Sequence, residues 1–283
     1  MNEQPKRPHL SASQLEMFAK CPESWRRRYL EGDVIPPKLA MVRGKSVHAA
    51  IEENMQQKIE SHQDLPASDL VAFAVNEFEM EVKHGVYTLD EGDTQSDVSK
   101  MKYTIESMAT AHAELQAPEY QPVAVEERFT IPLPMLDHDI VGVVDMRSDA
   151  NEIVDFKTKK RKSSEEDADQ SIQLSVYAAA VLSDSQDEVT VKLDCLIEAS
   201  ARKPVTRDLV TATRDRTDLP ILGRRVAVVS KAIGSGLFPP ASPGSWWCSE
   251  SWCGYWNTCP YVNSERRAVS LQVKKAMEIL GND

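Results

Sequence analysis

From residue 118 onward, apolar and polar positions alternate in the manner of half-buried strands. Val123–Ile131, Asp139–Arg147 and Glu152–Lys157 each follow this period, and Asp149-Ala150-Asn151 forms a turn between the last two. Upstream the period is helical. Ser13 with Glu16 has the form of a capping box, and Leu15, Phe18 and Ala19 supply an apolar stripe. Pro22 interrupts that helix, Trp25–Leu30 resumes it, and Gly32 with Pro36-Pro37 closes the opening unit. A second helix is predicted from about Lys45 to Glu60, burying Val47, Ala50, Ile51 and Met55. Residues 66–117 read as helical around a polar Asp- and Gly-containing stretch, Leu89–Ser99, expected to be a loop. After the hairpin come a helix over Asp167–Leu182, strands over Val189–Ile197 and Pro204–Ala212, and a helix over Leu219–Ile233. A Trp/Cys-rich coil and a final helix from about Ser264 follow. This order predicts an α/β protein with a mixed central sheet flanked by helices. One domain over 1–283 is expected: helices at 10–60, a helical insert at 61–117, a sheet core at 118–235 and a cysteine region at 236–283.

Composition narrows the class. A chain of 283 residues, 41% apolar and 27% charged, can bury a large core. No apolar run approaches the roughly 18–20 residues that span a bilayer, so no membrane partner is expected. The N-terminus has no apolar segment of the secretory kind, which makes the cytoplasm the expected compartment. A net charge of −11 argues against broad binding to polyphosphate. It does not exclude a nucleic-acid enzyme, because bound divalent cations would offset active-site carboxylates locally. Arg26-Arg27-Arg28, Lys157–Lys162, Arg202-Lys203 and Arg224-Arg225 are local clusters of positive charge.

The second and third strands carry the most informative residues, Gly142-Val143-Val144-Asp145 and Ile153-Val154-Asp155-Phe156-Lys157. Side chains alternate along a strand, so Asp155 and Lys157 share one face and Val154 and Phe156 the other. A short turn brings the Asp145 strand alongside, and two carboxylates and an ammonium can converge. That trio suits phosphodiester hydrolysis: hard oxygen ligands hold Mg²⁺ or Mn²⁺, and a lysine orients water or stabilises charge. Solvent-facing residues on an edge hairpin would give the same pattern.

The cysteines add a second constellation. Cys248, Cys253 and Cys259, spaced with four and five residues between them, sit near one end and Cys21 near the other. Together they can supply four sulfurs to a cubane iron–sulfur cluster or to tetrahedral Zn²⁺. Either would cross-link distant parts of the chain. Trp246, Trp247, Trp252 and Trp256 are expected to shield such a centre, with stacking on single-stranded bases as the alternative. Cys195, inside a strand, reads as a buried small hydrophobe.

Taken in order, Gly44 to His48, Gly142 to Asp145, Asp155 to Lys157 and Gln173 to Tyr177 resemble the G-x-x-x-H, G-x-x-D, D-x-K and Q-x-x-x-Y motifs of the RecB-like branch of the PD-(D/E)XK nuclease superfamily. Leu10-Ser11-Ala12-Ser13 and Cys21-Pro22 are similar to that family's opening segment. The resemblance spans residues 10–261 and implies a restriction-endonuclease-like core. It implies that His48, Asp145, Asp155 and the Phe156 main-chain carbonyl ligate Mg²⁺ or Mn²⁺. Lys157 is then the catalytic lysine, and Gln173 and Tyr177 line the DNA side. An imidazole ligand softens the site towards Mn²⁺. Glu127 is a candidate further carboxylate or a surface residue. One distant cysteine plus a C-terminal triplet resembles the iron–sulfur branch, which includes the AddB nuclease domain and CRISPR-associated iron–sulfur exonucleases. That layout favours 4Fe–4S over zinc, although relatives usually show C-x₂-C where this chain has Cys248-x₄-Cys253.

The expected function is a divalent-metal-dependent deoxyribonuclease, acting as an exonuclease on single-stranded DNA or DNA ends. The alternative is a nuclease-fold module that binds DNA or a recombination or repair partner without turnover. The chain has no P-loop motif, so any motor must come from a separate helicase.

Overall fold

The structure is a computed structural model, and it describes residues 7–85, 95–182, 187–200, 202–242 and 244–262. It divides into two compact units, one of Met1–Leu15 and Pro36–Lys231, the other of Glu16–Ile35 and Ala232–Asp283.

The first unit is a mixed sheet with helices. Its strands are β1 (His9–Leu10), β2 (Pro122–Ile131), β3 (Asp139–Ser148), β4 (Glu152–Lys159), β5 (Glu188–Ile197) and β6 (Thr206–Asp215). β2, β3 and β4 lie where alternation predicts them, and β5 and β6 match the two further strands expected over Val189–Ile197 and Pro204–Ala212, the last shifted to Thr206–Asp215; β1 is too short to leave a periodic signal. β4 runs parallel to β5 over its whole length, and β6 pairs antiparallel with β5. β2 covers one edge of β3 from Ile140 to Ser148. Met146 pairs with both Val125 and Val154, and Ile140 with both Ile131 and Leu10. Hence β1 and β4 share the other edge of β3, at opposite ends. The β3–β4 ladder itself holds for only three pairs, Met146 to Ser148. Beyond them the two strands splay.

The helices begin at different places from those that periodicity predicts. Ser11, not Ser13, caps α1 (Ala12–Lys20), its Oγ accepting the Gln14 N–H at 3.3 Å. α2 covers Pro22–Tyr29, with proline at its first position, where its missing N–H costs nothing. α3 runs from Leu39 to Ser61, not from Lys45. Gly44 is therefore inside the helix, and a Cβ there would come within 3.3 Å of Thr158 Oγ1, so glycine lets α3 approach β4 closely. Leu39, Val42, Val47, Ala50, Ile51 and Met55 form an apolar stripe of α3 and bury in one cluster with Met146, Val154 and Phe156. Each of the larger side chains among them contributes roughly 1.5–3 kcal/mol on burial.

α4 (Ala67–His84) and α5 (Gln95–Ala111) form the helical insert. Of the expected Leu89–Ser99 loop, residues 95–99 are helical and 89–94 lie outside the described residues. α6 spans Ile172–Leu182, with residues 165–170 turning ahead of it; Ser171 Oγ caps it by accepting the Leu174 N–H at 3.1 Å. α7 spans Asp218–Gly234. The helix expected from Ser264 also lies outside the described residues. None of the described helices is long and apolar enough to cross a membrane.

A buried polar network backs β4. Asp194, fully buried opposite Phe156, accepts from Gln116 (2.8 Å), Tyr120 (2.7 Å) and Arg207 (2.7 Å). The rings of His112 and Tyr120 meet Phe156 edge-on, each at 6.0 Å. Phe156 is thus gripped on the face opposite Asp155. His112 is buried against Gln116 and Asn54, and burial pushes its pKa down to about 4. Unfolding restores a value near 6.5, so the unfolded chain binds more protons between those values and stability falls as the pH drops from 6.5 to 4. The loss from this residue is on the order of 3 kcal/mol. His112→Gln is expected to flatten the fall in melting temperature across that window, as thermal melts from pH 4 to 7 will show.

Candidate active site and cysteine-lined cavity

The splay of β3 from β4 builds the site. Continuing the ladder by one pair would set Asp145 opposite Asp155 as backbone partners. Instead, the Phe156 N–H donates to Asp145 Oδ2 at 3.1 Å, and Nε2–H of His48, from α3, donates to the same oxygen at 2.9 Å. Lys157 Nζ donates to Asp155 Oδ1 at 2.8 Å. On α6, Gln173 Nε2 donates to the Tyr177 hydroxyl at 2.6 Å, and both carboxylates lie close enough to act electrostatically on that phenol.

The charges there are strongly interdependent. Burial pushes the Asp155 carboxyl up to about 7 against the pull of Lys157, and the nearby Asp145 charge adds to the rise. Burial would also raise Asp145, but the hydrogen bond and charge of His48 outweigh it and hold Asp145 below the usual carboxylate range. For His48, burial favours the neutral ring, yet its bond to Asp145 prevails and raises its pKa. A buried acidic pair held by one lysine, one imidazole and one amide is a set of oxygen and nitrogen donors suited to a divalent cation. Among the described residues no three His, Cys, Asp or Glu side chains stand at ligand spacing around one point. Each carboxylate is turned instead to its protein partner.

Two site features carry no local signal in the sequence. Glu126 has φ 49°, a left-handed conformation inside β2 that costs a non-glycine residue of order 1–3 kcal/mol. Its Oε1 lies 4.0 Å from His48 Nδ1, and its pKa is raised by burial and then by Asp145. The expected candidate Glu127 instead pairs with Arg147 at 2.6 Å, taking the surface role. The second feature is Phe129, whose ring lies across Gly142, where a Cβ would sit 2.4 Å from Cζ. From there it meets Tyr177 edge-on at 6.2 Å. Gly142 is thus the space that lets β2 reach α6.

In the second unit, Cys21, Cys248, Cys253 and Cys259 all line one cavity of about 470 Å³, together with Arg27, Tyr255 and Trp256. None of the five cysteines is in a disulfide. Cys21 occupies the N-cap position of α2. Cys248 and Cys253 sit in tight turns, donating their N–H groups to Ser245 and Ser249 at 3.0 and 2.8 Å. The wall is braced by Trp247 Nε1 donating to Lys20 O (3.0 Å) and Tyr255 OH donating to Asp33 O (2.6 Å). Gly254 lets Ile35 close on the turn, since a Cβ would fall 2.7 Å from Ile35 Cγ2. Burial raises the Cys253 thiol, and the other three cysteines add to the rise, so the four sulfurs feel one another. Of the tryptophans expected to shield a centre, Trp256 is buried on the cavity wall. Trp246 and Trp252 are largely exposed and pack edge-on against each other at 4.8 Å. Cys195 is fully buried in β5.

An acidic pair and a lysine on two adjoining strands of a mixed sheet, flanked by helices, define the nuclease class of α/β fold. The chain belongs to the PD-(D/E)XK nuclease superfamily, whose family model matches residues 9–260. The fold is also similar to the 2.19 Å crystal structure of a proposed exonuclease from Eubacterium rectale, with a TM-score of 0.53 over 90% of each chain at 11% identity. No curated protein matches the chain.

Proposed function

We propose that this protein is a divalent-metal-dependent deoxyribonuclease, an exonuclease acting on single-stranded DNA or DNA ends. One observation carries the reading. β3 and β4 part at Asp145 and Asp155, so both carboxylates, His48 and Lys157 meet where the ladder stops. His48, Asp145, Asp155 and the Phe156 carbonyl would hold Mg²⁺ or Mn²⁺, which when bound supplies Lewis acidity and an activated water. Lys157, held by Asp155, positions water and offsets charge building on the phosphate. Gln173 and Tyr177 fix the DNA side through their mutual hydrogen bond. The deciding experiment is digestion of end-labelled single- and double-stranded DNA with Mg²⁺ or Mn²⁺, with Lys157→Ala as control. Wild type and Lys157→Ala equally inert on all substrates would leave a nuclease-fold module that binds DNA or a helicase or recombination partner.

Glu126 stands behind His48 as a supporting carboxylate. Removing such a partner typically weakens metal binding about 10–100-fold. Glu126→Gln is therefore expected to raise the Mn²⁺ concentration for half-maximal cleavage by at least about tenfold, read by metal titration at saturating DNA.

The four-cysteine cavity is read as the seat of a 4Fe–4S cluster, as in the iron–sulfur branch of RecB-like nucleases. The four thiols line one cavity. One distant cysteine plus a C-terminal triplet suits the four thiolate ligands of a cubane cluster better than the paired C-x₂₋₄-C halves usual for zinc. Iron and acid-labile sulfide in anaerobically purified protein, with broad absorption near roughly 400 nm, test this. A colourless, zinc-loaded protein would sink it.

A further inference from the structure

Arg27 lines the cavity that the four cysteines share, and its guanidinium is anchored on several sides. Nε and Nη2 donate to Asp33 Oδ2 at 3.1 and 2.7 Å. Nη2 also donates to Thr258 Oγ1 at 2.8 Å, and Cζ lies 4.5 Å from the centroid of the Tyr255 ring. Thr258 directly precedes Cys259, and Tyr255 follows Cys253 by two positions. These contacts leave one nitrogen over. Nη1 is buried and makes no hydrogen bond among the described residues. A buried guanidinium N–H with no acceptor is costly, and the anchors prevent it from swinging out to water without breaking the other bonds. Besides the oxygens of Glu23, Ser24, Ser242 and Tyr261, the cavity offers the sulfurs of Cys21, Cys248, Cys253 and Cys259 as acceptors.

We propose that Arg27 is a binding residue of the four-cysteine centre, its Nη1–H donating to a cluster sulfide or a cysteine thiolate. The inference rests on the iron–sulfur reading above and deepens it. A cubane bound by four thiolates is anionic, and hydrogen bonds to its sulfurs are a recognised control on potential. Reduction adds one electron from an external reductant and one further negative charge; no Fe–S bond breaks and no proton moves. An N–H held against sulfur therefore stabilises the reduced form more than the oxidised one. It also slows loss of iron from both. Asp33 does not cancel the effect, because its side chain is 40% exposed and its charge is screened by water.

The test compares full-length wild type, Arg27→Lys and Arg27→Gln, all purified anaerobically. Iron and sulfide are counted first. Midpoint potentials then come from dithionite titration followed by electron paramagnetic resonance, and iron release is timed with a chelator. Arg27→Gln is expected to disfavour reduction about tenfold, equal to about 59 mV for a one-electron couple, and to release iron several times faster. Arg27→Lys, which keeps charge but not the planar fork, should fall between. Should Arg27→Gln be isolated without iron, the Arg27→Lys potential decides alone. Iron present in all three with unchanged potentials overturns the role of Arg27 and leaves the cluster reading standing. Wild type without iron and sulfide overturns both.

Discussion

Asp155→Asn is expected to abolish DNA cleavage, by roughly a thousandfold or more, while leaving the fold intact or firmer. The carboxyl is 1% exposed and its pKa is pushed up to about 7. The unfolded value is near 3.9, so the folded protein binds more protons between those two points. Stability is then fully present below about pH 4 and declines as the pH rises to about 7. The total from this one group is on the order of 4 kcal/mol. Asparagine carries no charge and removes that dependence. Lys157 loses its bond to Asp155, but it is 38% exposed and water can take over that contact. In metal-free buffer at pH 8, the variant should melt at or above the wild-type temperature. A collapsed thermal transition would show that Asp155 holds the strand together, and the catalytic assignment would lose its main support.

The second large effect is expected for Cys253→Ser. The second unit joins Glu16–Ile35 to a segment starting at Ala232, so any centre bound by Cys21 and the C-terminal triplet cross-links remote parts of the chain. By the loop-entropy argument, closing a loop of that size stabilises by about 5 kcal/mol. Among the described residues of the unit, Phe18, Trp25 and Phe238 also pack together at 5.8–6.3 Å. Cys253→Ser should therefore lose iron, soluble yield and the protection of residues 16–35 from hydrogen exchange. Unchanged exchange in iron-free protein would remove the staple argument.

Much of this was legible because it is local. β2 and β3 follow from alternation, since a half-buried strand changes face at every residue, whereas β4 and β5 each bury runs of four or five residues on both faces. The same rule sets Asp155 and Lys157 on one face, where they form a 2.8 Å pair. Helix starts were less legible. Leu39–Val42 and Ile172 begin their helices at places chosen by packing and by the Ser171 cap, while the sequence signals at Lys45 and Asp167 competed with them. Glu126 carries no local signal, because its left-handed backbone inside β2 and its approach to His48 are set by tertiary packing.

By itself, the order of residues determined which groups are chemically able to act: two acids and a lysine on consecutive strands, a histidine on a helix, and four cysteines at the two ends. These are matters of composition and short-range period, which neighbours along the chain decide. Only the tertiary structure decided that β4 leaves β3 after Val154, that the freed Phe156 N–H turns to Asp145, and that Arg27 ends on the cysteine-lined cavity with one nitrogen unsatisfied among the described residues. Those outcomes depend on contacts between residues far apart in sequence, where the competition among ladder, burial and hydrogen bonding is settled only once the chain has packed.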